Sequence, residues 1–294
     1  MTADWEHHYL DVNGVRLHYV AAGAGPLMLF LHGFPEFWYS WRYQLQEFAQ
    51  DYRVVALDLR GYNDSDKPEG IGAYRMAELV SDGVGVIQGL GYDRCVLVGH
   101  DWGGAIAWFL AYAHPSLLDE LIVMNLPHPA KFTSGLQTPQ QLLRSWYIGF
   151  FQLPLLPEWL LQAADYWVIE QLFRSMAVRK DTFSDADIAA YKAAAAKPGA
   201  LTAMVNYYRA ILDSSLFSQS WGVLEVPTLL IWGEEDMALG KELTYDTENY
   251  VRDFHLRYIP NCSHWVQQEQ PQLVNRHMRE FLALEKRIQT AHHD

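Results

Sequence analysis

The 294 residues, half of them hydrophobic and 19% charged, suffice for one sizeable domain or one domain carrying a large insertion. A formal net charge of −13 with no cluster of Lys or Arg argues against a nucleic-acid binder. The only cysteines, Cys95 and Cys262, make neither a metal-binding spacing nor a disulfide framework, so a reducing, cytoplasmic setting is expected. The opening MTADWEHHYL lacks the basic start and apolar stretch of a signal peptide, and no apolar run is long enough to span a membrane. The pairs His7/His8 and His292/His293 read as terminal decoration, and no metal site is expected.

In chain order, HHYLDV and VRLHYVAA flank Asn13-Gly14, the signature of a hairpin with a tight primed turn. Strands are then expected at Leu27–Leu31, Arg53–Leu57, Arg94–Val98 and Leu121–Asn125. Between them lie helical stretches at Trp38–Gln50, Ala73–Leu90 and Gly103–Ala113, the last apolar all round as a buried helix would be. Alternating apolar strands and helices predict an α/β fold, a mostly parallel sheet covered on both faces. The rhythm stops after Pro127. From His128 to about Phe217 there are prolines and helical stretches and no strand signal. Strands return at Thr228–Trp232 and Phe254–Ile259, followed by a helix from about Pro271 to Lys286. The expected organisation is a core from residues 1–127 and 218–294, interrupted by a helical cap at 128–217.

Residues 99–104 read Gly99-His100-Asp101-Trp102-Gly103-Gly104, between the strand CVLV and a helix. This is the setting of a nucleophile elbow, in which small flanking residues let a tight turn lift the central side chain above the sheet. Here that side chain is a carboxylate. It is ionised at neutral pH and needs no base to attack a saturated carbon, leaving an ester intermediate. Epoxides and alkyl halides are such substrates. The ester then needs a base. His264, in the loop Asn261–Trp265 after FHLRYI, is the candidate, and Asp236 after TLLIW is the candidate acid, with Glu234 and Glu235 as substitutes. The order nucleophile, acid, histidine, each after its own strand, is specific where a single histidine among twelve is not. The turn His32-Gly33-Phe34-Pro35 follows PLMLFL. The amides of Phe34 and Trp102 are thus candidate donors to an oxyanion.

The segments HGFPEFWYSWRYQ, DLRGYNDSDKP, GHDWGG, NLPHP, NYYR and SHWVQQEQP resemble soluble epoxide hydrolases of the α/β-hydrolase fold, over nearly the whole chain. The resemblance implies a helical cap, a cis peptide before Pro35 and two cap tyrosines that polarise the epoxide oxygen. NYYR places one at Tyr208, on a helical face with Leu201, Met204 and Val205. YIGFFQ places the other at Tyr147, grouped by spacing with Leu143, Trp146 and Phe150. Asn63 and Tyr207 depart from the family pattern, which has glycine and tryptophan there.

A small apolar epoxide is therefore the expected partner, bound by Tyr147, Tyr208, Phe34 and Trp102, with no cofactor. The alternative is a haloalkane dehalogenase on the same fold, whose second halide donor would come from Trp146, Trp159 or Trp167. A non-catalytic small-molecule receptor is a further alternative, one that has no use for a complete triad.

Overall fold

The computed structural model describes residues 5–211 and 220–291, with side chains as far as residue 285 in the last helix. Asn13 and Gly14 both take positive φ, 48° and 73°, and close the hairpin between β1 (Glu6–Val12) and β2 (Val15–Ala22). The apolar runs become β3 (Leu27–Leu31), β4 (Arg53–Leu57), β5 (Cys95–His100), β6 (Leu118–Met124), β7 (Thr228–Gly233) and β8 (Phe254–Ile259). They form one eight-stranded sheet in the order β1-β2-β4-β3-β5-β6-β7-β8. The hairpin strands run antiparallel and all later pairings are parallel. The central strands β3 and β5 are buried along their whole length, as strands sandwiched between helices must be.

Helices α1 (Arg42–Phe48), α2 (Met76–Gly89) and α3 (Trp102–Ala113) alternate with the early strands. Between β6 and β7 come only helices among the described residues: α4 (Pro129–Gly135), α5 (Pro139–Arg144), α6 (Trp146–Phe150), α7 (Leu156–Met176), α8 (Asp185–Ala195) and α9 (Ala200–Ala210). The chain finishes with α10 (Val266–Glu269) and α11 (Pro271–Ala291). Residues 212–217 of the expected insert, the expected return to the core at 218, and His292 and His293 lie outside the described residues. No helix among the described residues is long and apolar enough to cross a membrane.

The inserted helices are fastened to the core by aromatic packing and buried polar contacts. Phe173 stacks on Tyr191 at 4.0 Å between centroids and packs on Trp265 at 4.6 Å. The Tyr191 hydroxyl donates to Gln268 Oε1, and Trp265 Nε1 donates to the Leu172 carbonyl. Both departures from the family pattern have local reasons. Asn63 sits at φ 39°, which asparagine tolerates better than other non-glycine residues, and its amide donates to Asp58 at 2.7 Å. Tyr207 donates to the Arg60 carbonyl at 2.8 Å. His7 is not terminal decoration: it stacks on His18, whose Nδ1 lies 2.6 Å from Asp58.

Candidate active site

At the end of β5 the chain turns through Asp101 with φ 51° and ψ −122°, a backbone conformation that few side-chain-bearing residues adopt. The glycines around it are required by space. A Cβ on Gly99 would lie 2.3 Å from the Gly103 carbonyl oxygen, and one on Gly103 would lie 2.0 Å from that of Leu31. A Cβ on Gly33 would strike the Asp101 side chain itself at 2.3 Å. With no side chain in the way, the loop after β3 closes on the elbow, and the Phe34 amide donates to Asp101 Oδ1 at 2.7 Å. Trp102 opens α3, so its amide is among the N–H groups that a helix leaves without an internal partner. The peptide before Pro35 is cis.

Asp236 follows β7 and His264 follows β8. The His264 Nδ1 is 2.7 Å from Asp236 Oδ2, and its Nε2 is 3.6 Å from Asp101 Oδ2. Asp236 is buried and held from both sides, by the amides of Ala238 and Leu239 on one oxygen and the Asn125 side chain on the other. Glu234 is instead paired with Lys241, and Glu235 is exposed.

Burial pushes the Asp101 and Asp236 carboxyls up, but the imidazole of His264 outweighs it and holds both below the usual range. Burial likewise opposes charge on His264, while Asp236 and then Asp101 raise it well above its ordinary 6.5. The stability from His264 is therefore complete below about pH 6.5 and is lost as pH rises through its folded-state value. That from the aspartates is complete above about pH 4 and is lost as pH falls. Between these limits Asp236→Asn should destabilise most, by about 1.4 kcal/mol for each pKa unit His264 loses, and the deficit should shrink at alkaline pH. Thermal unfolding from pH 4 to 9 checks this, and a deficit independent of pH would contradict it.

Asp101 and Trp102 form the floor of a cleft whose walls include Phe109, Leu126, Phe132, Ile148, Ile211 and Leu239. Tyr147 and Tyr208 line it too, 5.9 Å apart between ring centroids. Tyr208 packs edge-on against Trp102 and Phe34. Its neighbour Tyr207 does not line the cleft and packs against Trp102, Tyr62 and Tyr74. Burial, then the charge of Asp101, raises the phenol pKa of both cleft tyrosines, so both hydroxyls keep their protons at neutral pH. The grouping of Tyr147 with Leu143 and Trp146 does not hold. The helix breaks at Ser145, between α5 and α6, and leaves Leu143 75% and Trp146 67% exposed while Tyr147 turns inward. Trp146, Trp159 and Trp167 are all mostly exposed, and none lines the cleft.

Several positioning residues carry no signal of spacing. Glu36 Oε2 accepts the Gly33 amide and lies 2.7 Å from His100 Nδ1, while Oε1 accepts Gln267 and Gln268. His100 Nε2 in turn is 2.8 Å from the His264 carbonyl. This buried network ties the Phe34 loop, the elbow and the His264 loop together. Asn125 does the same for Asp236 and the end of β7.

The model of the alpha/beta hydrolase fold family matches residues 26–271. Epoxide hydrolase 4 of Homo sapiens is 45% identical over 291 residues, 96% of this chain and 80% of that protein. Epoxide hydrolase 1 of Caenorhabditis elegans is 44% identical over 285 residues, 95% of this chain and 70% of that protein. Among solved structures, the Bacillus megaterium epoxide hydrolase in complex with an inhibitor superposes with a TM-score of 0.89 at 38% identity, covering 94% of this chain and 100% of that one. A mutant of the same enzyme carries its product, (R)-3-[1]naphthyloxy-propane-1,2-diol, with a TM-score of 0.88 over the same shares at 38% identity. The elbow, the sheet order and these likenesses agree: the chain belongs to the epoxide hydrolases of the α/β-hydrolase fold.

Proposed function

We propose that the chain converts apolar epoxides to vicinal diols through an ester on Asp101, in a cap-and-core arrangement with residues 128–217 over residues 1–127 and 218–294. The observation that carries this reading is one cleft holding a carboxylate on its floor and two protonated phenols on its wall. Asp101 Oδ1 is held by the Phe34 amide and stays as the carbonyl oxygen, which leaves Oδ2 to attack. Oδ2 bonds to a ring carbon, the C–O bond breaks, and Tyr147 and Tyr208 donate to the departing oxygen, which takes up a proton from solvent as His264 releases its own. Esterification removes the negative charge of Asp101, one of the two charges that hold the proton on His264. The imidazole becomes a better base at the step that needs one. It takes a proton from water at Nε2, the hydroxide adds to the ester carbonyl, and the amides of Phe34 and Trp102 stabilise the oxyanion. His264 gives the proton it took to the leaving oxygen as collapse expels the diol with the former Oδ2, and the carboxylic acid left on Asp101 passes its proton to His264. None of these steps calls on a cofactor.

The walls favour an aryl or alkyl substituent over a polar one, in keeping with the naphthyloxy diol bound by the Bacillus megaterium relative. Halide abstraction is disfavoured, because the three tryptophans that would supply a second donor are mostly exposed and none lines the cleft. Two buried, unpaired cysteines suit the cytoplasmic placement that we infer. With enzyme in excess and ¹⁸O-labelled water, first-turnover diol should be unlabelled and a peptide containing Asp101 should gain the label. Labelled diol in that first turnover would mean direct attack by water and would refute the ester.

A further inference from the structure

The parallel strands point their C-terminal ends at Asp101. At the opposite, N-terminal end of the edge strand β8 lies a second group of ionisable residues. Glu285 on α11 packs there with its side chain only 3% exposed, and its Oε1 makes no hydrogen bond. Carboxylate oxygens taken out of water are nearly always paired. Oε1 lies 4.0 Å from His255 Nε2, which is itself 3.0 Å from Asp253 Oδ1. One atom from each of the three residues falls within 4.8 Å of the other two. We propose that Asp253, His255 and Glu285 bind a divalent transition cation of the zinc class and so tie the C-terminal helix to the edge of the sheet.

The spacing fits that ion. Tetrahedral bonds of about 2.0–2.2 Å hold ligand atoms about 3.3–3.6 Å apart, between the two measured separations. One imidazole with two carboxylates suits zinc better than calcium or magnesium, which take oxygen-only sets. His255 and Asp253 are partly exposed, so the ion enters from solvent, with Glu285 as the floor and water at the fourth position. The ring of His255 is steadied against Phe281 at 5.3 Å. The neighbouring Arg252 is occupied by both oxygens of Glu225 and does not neutralise the cluster. The site lies apart from the cleft and takes no part in the reaction.

The competing reading is simple charge pairing, with a protonated His255 between two carboxylates. The test uses the full chain freed of metal by chelation, with His292 and His293 replaced by glutamine to remove terminal binding. Zinc chloride is then added while uptake is followed by equilibrium dialysis and stability by thermal unfolding. One zinc per chain should bind, and Tm should rise by roughly 3–8 °C at a hundredfold excess over Kd. Glu285→Gln and His255→Gln should each weaken uptake at least tenfold and abolish the rise. Metal-free Glu285→Gln should unfold no earlier than its parent, since it loses a buried charge without a partner. No zinc-dependent rise in the parent, variants that respond like the parent, or a metal-free Glu285→Gln that unfolds earlier would each overturn the proposal. His255→Gln, a surface change, keeps the test decisive if Glu285→Gln does not fold.

Discussion

His264→Gln should react once with an epoxide and then stop, carrying the substrate as an ester on Asp101. In the proposed reaction ring opening draws on Asp101 Oδ2 and the two phenols, none of which the substitution removes. Hydrolysis of the ester needs the proton acceptor that sits 3.6 Å from Oδ2 and is aligned by Asp236. Glutamine has no basic nitrogen, so turnover should fall by about 10⁴- to 10⁶-fold, the scale seen when the base of a nucleophile–base unit is deleted. Alkylation should survive, because the Phe34 amide still favours the ionised carboxylate after the imidazolium is gone. Intact-mass analysis after mixing with an aryl epoxide should show a single adduct of substrate mass, mapped to the Asp101 peptide and absent from Asp101→Ala. Normal steady-state turnover in His264→Gln would remove this histidine from the mechanism.

How far the sequence led differs between core and cap. Strands β3 and β4 fall on the expected residues, because a strand covered on both faces must be apolar throughout and ends where polar residues begin, and the edge strand β8 falls on them too although it carries His255 and Arg257. β6 starts three residues before its apolar run, since Leu118 and Glu120 extend the pairing across a register shift at Asp119 without adding to the pattern. The cap was harder to read. Helices α4, α5 and α6 are short, and the break at Ser145 has neither Pro nor Gly to announce it, so spacing alone groups Tyr147 with residues that face solvent. Nor does anything in the sequence mark the kink inside α7, where Ala164, Asp165 and Tyr166 take positive φ.

The site divides along the same line. The candidates Asp101 and His264 could be picked out because each follows its own strand at the edge where the fold puts reactive side chains. Of the three consecutive acids after β7, the sequence reading prefers Asp236 and keeps Glu234 and Glu235 as substitutes. Contacts far apart in sequence separate them: Asn125 from the end of β6 reaches Asp236, and Lys241 takes Glu234. Glu36 and His100 stood inside the quoted motifs, yet their role depends on a network joining residues 33, 100, 264, 267 and 268. An acidic residue in an otherwise apolar segment, HGFPEFW, was the available sign of it.

Tyr208→Phe and Tyr147→Phe should each slow ring opening by about 10²–10³-fold, the usual loss for one donor aimed at charge that develops in the transition state. The alkoxide oxygen forms in a cleft walled by apolar side chains, where water cannot replace a missing phenol. Both hydroxyls stay protonated at neutral pH, so either can donate. The double variant should have no measurable turnover. It should also form no adduct when combined with His264→Gln, which places the defect before the ester. Tyr207→Phe is the control that separates chemistry from packing. Its hydroxyl is buried and donates to the Arg60 carbonyl, so its loss should cost about 1 kcal/mol of stability and leave ring opening intact. Pre-steady-state tryptophan fluorescence can follow the ring-opening step, because Tyr208 packs 5.1 Å from Trp102 at the cleft floor. If Tyr207→Phe slowed ring opening and Tyr208→Phe did not, the phenol serving the epoxide would lie on the other side of α9. The two protonated phenols facing Asp101 across the cleft would then lose their proposed purpose.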